Sequence, residues 1–259
     1  MIFSFAESFL TEGGRRKTPR AVWLVLAGIV VYFVVLQLCL RHYESGLERD
    51  SVVILERVAE WHRTGVLVRE DMTGSFVPPL ALYLFRLPLV LGAPLESGCL
   101  FLILLFGMTV PVLSFLIARE CYPDDKAALV FAALMASNPQ LHDIYNSIIR
   151  DPIFIPLALT AILLALRYFK RPGFTTAAAA GVVSALAFLT RYEGIVLPAF
   201  FVFFAAWAAF RDRAWKKSAL RIAVFSFSWA VWIFMPFCFW GGLSVAWRVC
   251  RWRFSTCLG

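Results

Sequence analysis

The sequence contains few charged residues: Asp, Glu, Lys and Arg make up 16% of its 259 residues, whereas about 25% is usual for soluble domains. The hydrophobic share is 61%, and a water-soluble fold of this length could not bury so much apolar surface. The shortage of charge therefore excludes an ordinary soluble domain and indicates a protein that resides in a lipid bilayer.

The sequence also lacks the patterns of a metal site or a disulfide framework. Its six cysteines form no Cys-x-x-Cys pair, and its three histidines are scattered without close ligand spacing. The net charge of +8 does not indicate nucleic acid as a partner, because the basic residues stand in small clusters between apolar runs. A cleavable signal is not expected either, since the first apolar run has no convincing small-residue cleavage site.

Seven long apolar runs predict an all-α fold, a polytopic bundle of about seven transmembrane helices, because one crossing needs about 20 apolar residues. An eighth, shorter run at 79–92 carries Arg86 at its middle and Pro88 just after it. We expect this short run to lie in or dip into the outer leaflet without crossing. The seven longer runs occupy residues 21–40, 97–118, 127–138, 152–169, 174–190, 194–210 and 219–240.

Basic clusters orient these runs, since all of them fall on one side if the seven longer runs cross. The positive-inside rule makes that side the cytoplasm. The clusters are Arg15 to Arg20, Arg119 with Lys126, Arg167 with Lys170 and Arg171, and Arg211 to Arg221. We expect a multi-pass protein of the cell inner membrane, with a cytoplasmic segment at 1–20, a membrane domain at 21–240 and a tail at 241–259.

The one sizeable extracytoplasmic loop, residues 41–78, is too rich in arginines and acids to lie in lipid. Within it, residues 51–63 plot as an amphipathic helix with an apolar half and a charged half. The apolar half holds Val52, Ile54, Leu55, Val58, Ala59 and Trp61, and the charged half holds Glu56, Arg57, Glu60 and Arg63. Such a helix would lie on the membrane surface as a lid or platform for a lipid-linked substrate.

Asp50 stands about ten residues after the first apolar run, at the start of this helix. A carboxylate at the boundary of water and lipid could act as a general base that deprotonates an acceptor hydroxyl. The alternative is that it caps the helix by accepting backbone N–H bonds.

Asp151 precedes Pro152 at the outer end of the fourth run, and an Asp at the N-cap followed by Pro at the first helical position is also an ordinary helix start. The predicted topology puts Asp151 on the same membrane face as Asp50. Two acids and the adjacent Arg150 on one face would make a polar cleft able to bind a phosphate and a hydroxyl acceptor.

Arg191 and Glu193 lie in the short connection between the fifth and sixth runs, again on the outer side. They could simply pair with each other at the interface, or Arg191 could neutralise a phosphate. Arg86 could likewise form a structural ion pair or bind a phosphate. An arginine at membrane depth costs several kcal/mol unless it is paired or reaches the interface, so that a partner for Arg86 is expected.

Several short motifs occur in a characteristic order: Asp50-Ser51-Val52-Val53, Ala59-Glu60-Trp61, Pro78-Pro79-Leu80, Arg150-Asp151-Pro152 and Leu189-Thr190-Arg191-Tyr192-Glu193-Gly194. In this order and on these sides of the membrane, they resemble the C-type glycosyltransferase superfamily. That superfamily includes the dolichyl-phosphate-mannose protein mannosyltransferases and the aminoarabinose lipid A transferase. The resemblance covers residues 15–240.

The resemblance implies inverting transfer of a sugar from a polyprenyl-phosphate carrier to a glycan, lipid or protein acceptor on the outer membrane face. Asp50 matches the family's first-loop catalytic acid, and Asp151 matches a second acid at the outer end of a later span. Arg86, Arg150, Arg191 and Glu193 are the candidates for binding the donor and its phosphate, and no cofactor is identified.

The chain departs from the family pattern at two points. Val77 stands where many members have a lysine before the Pro-Pro turn, and members usually have more spans, so we expect a shortened form. The alternative function is a non-enzymatic membrane protein, such as a lipid-sugar flippase subunit or a transporter fragment. A transporter should carry charges near the midplane of broken helices, whereas here nearly all ionisable residues stand at the ends of runs.

Overall fold

The structure is a computed structural model that describes residues 19–43, 49–65, 79–122, 124–211 and 218–233. Most of the N-terminal basic cluster, Val77 with Pro78, the pair Lys216 and Lys217, and the tail at 241–259 lie outside the described residues. The predictions made for those positions therefore stay predictions.

Helices make up nearly all of the described chain, and no strand occurs in that part. They are α1 (Arg20–Tyr43), α2 (Arg49–Thr64), α3 (Pro79–Val90), α4 (Leu95–Cys121), α5 (Asp125–Ala136), α6 (Pro139–Asn146), α7 (Asp151–Lys170), α8 (Phe174–Phe188), α9 (Val196–Arg211) and α10 (Ser218–Ile233), with a 3-10 helix at Tyr192–Ile195 between α8 and α9. The all-helical fold predicted from the apolar runs is thus confirmed.

Three of the helices, α1, α4 and α7, are long and apolar enough to cross a membrane. At about 1.5 Å per residue, the 20 residues of α7 span about 30 Å, the thickness of a hydrocarbon core. The apolar helices α3, α8 and α10 are shorter, as is the stretch from Tyr192 to Trp207. Three candidate crossings are therefore present in the described chain, and the total of about seven stays a prediction.

Helix α4 lies at the centre of the bundle, where it packs against α1, α3, α5 and α7. The other faces of the bundle remain apolar and exposed, as at Leu24 (74%), Phe101 (60%), Phe203 (60%) and Phe227 (71%). Exposed apolar surface on this scale is unfavourable in water and favourable against lipid chains. The packing therefore agrees with the membrane location that the composition predicts.

One end of the bundle is held together by ion pairs among the ends of α4, α5 and α7. Glu120 contacts Arg167 at 3.0 Å and Lys170 at 3.6 Å, and Arg119 contacts Asp125 at 2.9 Å. These are residues of two basic clusters that the sequence assigns to the cytoplasm. The structure thus places both clusters at the same end of the bundle.

The opposite end gathers the C-terminal end of α1 and the segment between α6 and α7. The Arg41 side chain, at the end of α1, donates to the carbonyl of Leu100 at 3.1 Å and to that of Tyr145 at 2.9 Å. Asp50, Asp151, Arg191 and their neighbours stand at this second end, which we call the acidic end.

Helix α2 packs against α3 with a narrower apolar face than the sequence predicts. Ile54, Val58 and Trp61 are buried, as expected, but Val52 is 39% exposed and Ala59 is also exposed. Because α2 rests chiefly on one helix, a single stripe is enough to cover the contact, and the margins of the predicted apolar half stay uncovered.

Candidate active site at the acidic end

The start of α2 is fastened to the segment that leads into α7. The buried Ser51 hydroxyl accepts a hydrogen bond from the backbone N–H of Ile148 at 3.0 Å. Asp50 is exposed and stands inside the first turn of α2, so it does not precede the helix as the capping alternative requires. This bond joins the Asp50 motif to the Arg150-Asp151-Pro152 motif, which is far away in the sequence.

The start of α3 is fastened in a similar way to the end of α8. The backbone N–H of Leu80 donates to the carbonyl of Leu189 at 3.1 Å. A helix leaves its first N–H groups without partners inside the helix, and here a carbonyl of another motif accepts from one of them. The helix that carries Arg86 therefore docks beside the segment that carries Arg191.

Asp151 is the first residue of α7, and Arg150 occupies the N-cap position. The sequence interpretation of Asp151 as the N-cap is therefore wrong by one residue, because the residue before it already has helical backbone angles. A carboxylate in the first turn interacts favourably with the positive end of the helix dipole. The Asp151 carboxylate also forms an ion pair with Nη1 of Arg191, so it is held by charge from two directions.

Arg191 lies between two carboxylates, since it pairs with Glu193 as well as with Asp151. Its Nη2 lies 2.8 Å from Oε1 of Glu193, and its Nε lies 3.2 Å from Oε2, a bidentate arrangement. The hydrogen bonds from Arg191, with a smaller contribution from the charge of Arg150, lower the pKa of Glu193 to about 2. Of the two alternatives for Arg191, the structure thus has the one in which it pairs with Glu193. Asp151 joins this pair as a third charged residue.

Gly194 allows the 3-10 helix to fold back onto the end of α8. A Cβ atom at this position would lie 2.6 Å from the backbone nitrogen of Phe188 and 2.7 Å from the carbonyl carbon of Ala187. Such distances to backbone atoms cannot be relieved by rotating a side chain. The requirement for glycine here comes from close approach, and it fixes the segment that bears Arg191 and Glu193.

Arg86 projects from α3 onto the aromatic residues that join α2 to α3. Its guanidinium carbon lies 4.3 Å from the centre of the Trp61 ring, within the range of a cation–π interaction. Trp61 in turn packs edge-on against Tyr83 at 4.8 Å. The Nε atom of Arg86 is buried and has no hydrogen-bond partner among the described residues. Stacking on one face leaves the edge of the guanidinium available to an anion.

Arg150, like Arg86, has no carboxylate partner in the described part of the chain. It contributes to the electrostatic environment of Glu193 without bonding to it. Arg191, by contrast, is already neutralised by Asp151 and Glu193. For an external phosphate, Arg86 and Arg150 are therefore better candidates than Arg191, which the sequence alone ranked equally with Arg86.

The structure thus joins Asp151, Arg191 and Glu193 directly, with Arg150 next to Asp151 in the chain. Asp50 and Arg86 make no hydrogen bond or ion pair to this triad within the described residues; they are linked to it through the Ser51 and Leu80 bonds. The sequence did not lead us to predict that Arg86 stacks on Trp61. The signal that could have indicated this contact is a lone arginine in an apolar helix that follows a helix containing a tryptophan. Over the described ranges, no group of three His, Cys, Asp or Glu side chains could hold a metal ion.

Comparison with known proteins finds a family match for the greater part of the chain. Residues 77–240 match the family model described as dolichyl-phosphate-mannose-protein mannosyltransferase. No curated protein and no solved structure matches the chain. The matched region, more than half of the sequence, contains Arg86, Arg150, Asp151, Arg191 and Glu193, whereas Asp50 and α2 precede it.

Proposed function

Because the chain belongs to the dolichyl-phosphate-mannose-protein mannosyltransferase family, a family of membrane glycosyltransferases, we propose that it transfers a sugar from a polyprenyl-phosphate carrier to an acceptor on the extracytoplasmic face of the inner membrane. The observation that carries this proposal is the asymmetry of charge at the acidic end. Three charged groups there are tied into one cluster, while Arg86 and Arg150 have no carboxylate partner among the described residues.

The two arginines provide the site for the phosphate of the donor. A cation within the hydrocarbon region is costly unless it is paired or reaches the interface, and the phosphate of a membrane-held lipid is an anion that could pair with it there. The Trp61 ring holds the Arg86 guanidinium from one side, so that its N–H groups can bind phosphate oxygens in the planar geometry that arginine favours. The polyprenyl chain would then run along the exposed apolar faces of the bundle.

Asp50 is the general base in this mechanism. It is exposed and stands beside the buried Ser51. The proposed topology puts it at the membrane edge, where both water and an acceptor hydroxyl can reach it. The acceptor oxygen gives its proton to Asp50 and forms a bond to the anomeric carbon, opposite the departing phosphate. The bond from that carbon to the phosphate oxygen breaks, and the electron pair leaves with the polyprenyl phosphate, which inverts the anomeric configuration.

Arg86 and Arg150 stabilise the negative charge that grows on the leaving phosphate. A well-placed donor of this kind contributes about 3 to 4 kcal/mol to the transition state. Asp151 has a different role from Asp50, because its carboxylate is engaged by Arg191. We assign it to the acceptor side of the site, where a fixed negative charge orients the hydroxyl and keeps Arg191 from competing for the phosphate.

The experiment that tests the proposal separates transfer from movement of the lipid. The purified chain is placed in liposomes with a polyprenyl-phosphate donor that carries a labelled sugar, together with a membrane extract as the source of acceptors. A glycosyltransferase releases sugar-free polyprenyl phosphate in proportion to the label that appears in product. Movement of intact donor to the other leaflet without that release would contradict the proposal and support a flippase.

A further inference from the structure

Helix α7 contains a proline in its second turn, and this proline leaves a carbonyl group without its usual partner. In an α-helix, the carbonyl of Pro152 accepts from the N–H of residue 156. Residue 156 is itself a proline, which has no N–H and whose ring crowds the carbonyl four residues earlier. The sequence alone therefore predicts an open acceptor at the start of the helix that carries Asp151.

Tyr145 supplies the missing donor. Its hydroxyl, which comes from α6, donates to the Pro152 carbonyl at 3.0 Å. Tyr145 is fully buried, and Pro152 and Pro156 are buried as well. Because water cannot easily replace a donor in such a place, the loss of this bond would leave a buried carbonyl unsatisfied, which is unfavourable.

The position of Tyr145 is itself fixed from several directions. Its own backbone carbonyl accepts from Nη2 of Arg41 at 2.9 Å, and its ring packs edge-on against Phe33 with centroids 5.9 Å apart. Gly107 leaves room for this ring, since a Cβ atom there would lie 3.0 Å from Cδ1 of Tyr145. A side chain held so firmly can hold another element in place.

We propose that Tyr145 is a positioning residue for sugar transfer: by completing the first turn of α7 in place of the N–H that Pro156 lacks, it sets the position of Asp151 and thereby of Arg191. The effect on transfer rests on the function proposed above. The effect on the first turn of α7 does not, and it can be measured without any activity.

The test asks whether a backbone N–H at residue 156 can replace the hydroxyl of Tyr145. Tyr145→Phe keeps the ring and removes only the donor, and we expect it to lower kcat by about tenfold with little change in KM for the donor, since small displacements of catalytic groups have effects of this size or larger. Pro156→Ala restores an N–H that can donate to the Pro152 carbonyl. In the double variant, kcat should therefore return to within about threefold of the parent.

The single Pro156→Ala variant should remain close to the parent, because a carbonyl oxygen can accept two hydrogen bonds. Tyr168→Phe is the matched control: it removes a hydroxyl from a buried tyrosine at the opposite end of the bundle, where that hydroxyl lies near Arg221. This control should leave kcat unchanged.

Hydrogen exchange of the amides of Ile153 and Phe154, both bonded to the carbonyl of Arg150, gives the readout that is independent of activity. Exchange should become faster in Tyr145→Phe and slow again in the double variant. That pattern without sugar transfer in any variant would support the role of Tyr145 in the fold and contradict the proposed function. Unchanged exchange in Tyr145→Phe, or a loss of kcat that Pro156→Ala does not restore, would overturn the proposal.

Discussion

Replacing Gly194 with alanine tests whether the fold at the acidic end is as tight as the structure has it. The added Cβ would lie 2.6 Å from the backbone nitrogen of Phe188, whereas ordinary contacts begin at 3.4 Å. The 3-10 helix must therefore move away from α8 by about 0.8 Å. Overpacking of this kind typically costs about 1 to 3 kcal/mol.

The same displacement acts on the site, because Arg191 and Glu193 precede Gly194 in one short segment. An error of about 1 Å in the position of such groups can reduce a rate by about 100-fold. We expect Gly194→Ala to lower both the apparent midpoint of thermal unfolding in detergent and the rate of sugar transfer.

Gly28→Ala is the matched control, since a Cβ at Gly28 in α1 would meet no atom within 4 Å. There, alanine should leave transfer unchanged and stabilise the helix by up to about 1 kcal/mol. If Gly194→Ala were as stable and as active as Gly28→Ala, the close approach between the 3-10 helix and α8 would be wrong.

Three further predictions concern the cations, the pH dependence and the topology. Arg86→Gln should raise KM for the polyprenyl-phosphate donor at least tenfold, whereas Arg63→Gln on the exposed part of α2 should not; equal effects would remove Arg86 from the phosphate site. Because Arg191 lowers the pKa of Glu193 from 4.5 to about 2, the ionised form stabilises the fold above pH 4.5, and this contribution is lost as the pH falls towards 2. The difference in stability between the parent and Glu193→Gln should therefore be constant from pH 6 to 8, small because Glu193 is exposed, and lost as the pH falls below about 2; a difference that grows on acidification would contradict the assignment. Reporter fusions at residues 60 and 216 should read opposite sides of the membrane, with residue 60 extracytoplasmic; the same side for both would invalidate the site.

The helices could be predicted from the sequence because apolar runs are a local property. Each of the seven long runs contains a helix in its described part, but the number that cross a membrane depends on length and tilt, and α8 has only 15 residues. The burial of Val58 and Trp61 followed from helical periodicity, whereas the exposure of Val52 depended on how much of α2 its neighbours cover. The local sequence therefore predicts where a helix forms, but it does not predict which helices pack against it.

The charged residues of the site could also be selected from the sequence, but their pairing could not. Arg191 and Glu193 are two positions apart, and their pairing was one of two open alternatives. The contact between Arg191 and Asp151 joins residues 40 positions apart, and no local pattern predicts it. The hydrogen-bond donor to the Pro152 carbonyl is a similar case. Pro156 indicates that this carbonyl needs a donor from elsewhere, but only the packing of α6 against α7 shows that Tyr145 supplies it.

The central claim, that Asp50 is the base of a sugar transfer at the acidic end, is tested most directly by the initial rate of transfer in Asp50→Asn. Asparagine keeps the size of the side chain and removes its ability to take a proton, and a general base contributes about 100- to 10,000-fold. The matched control is Asp143→Asn, which changes an exposed acid on α6. The account predicts a loss of at least about 100-fold in Asp50→Asn with donor binding retained, and a rate close to the parent in Asp143→Asn. A rate within a few-fold of the parent in Asp50→Asn would contradict it.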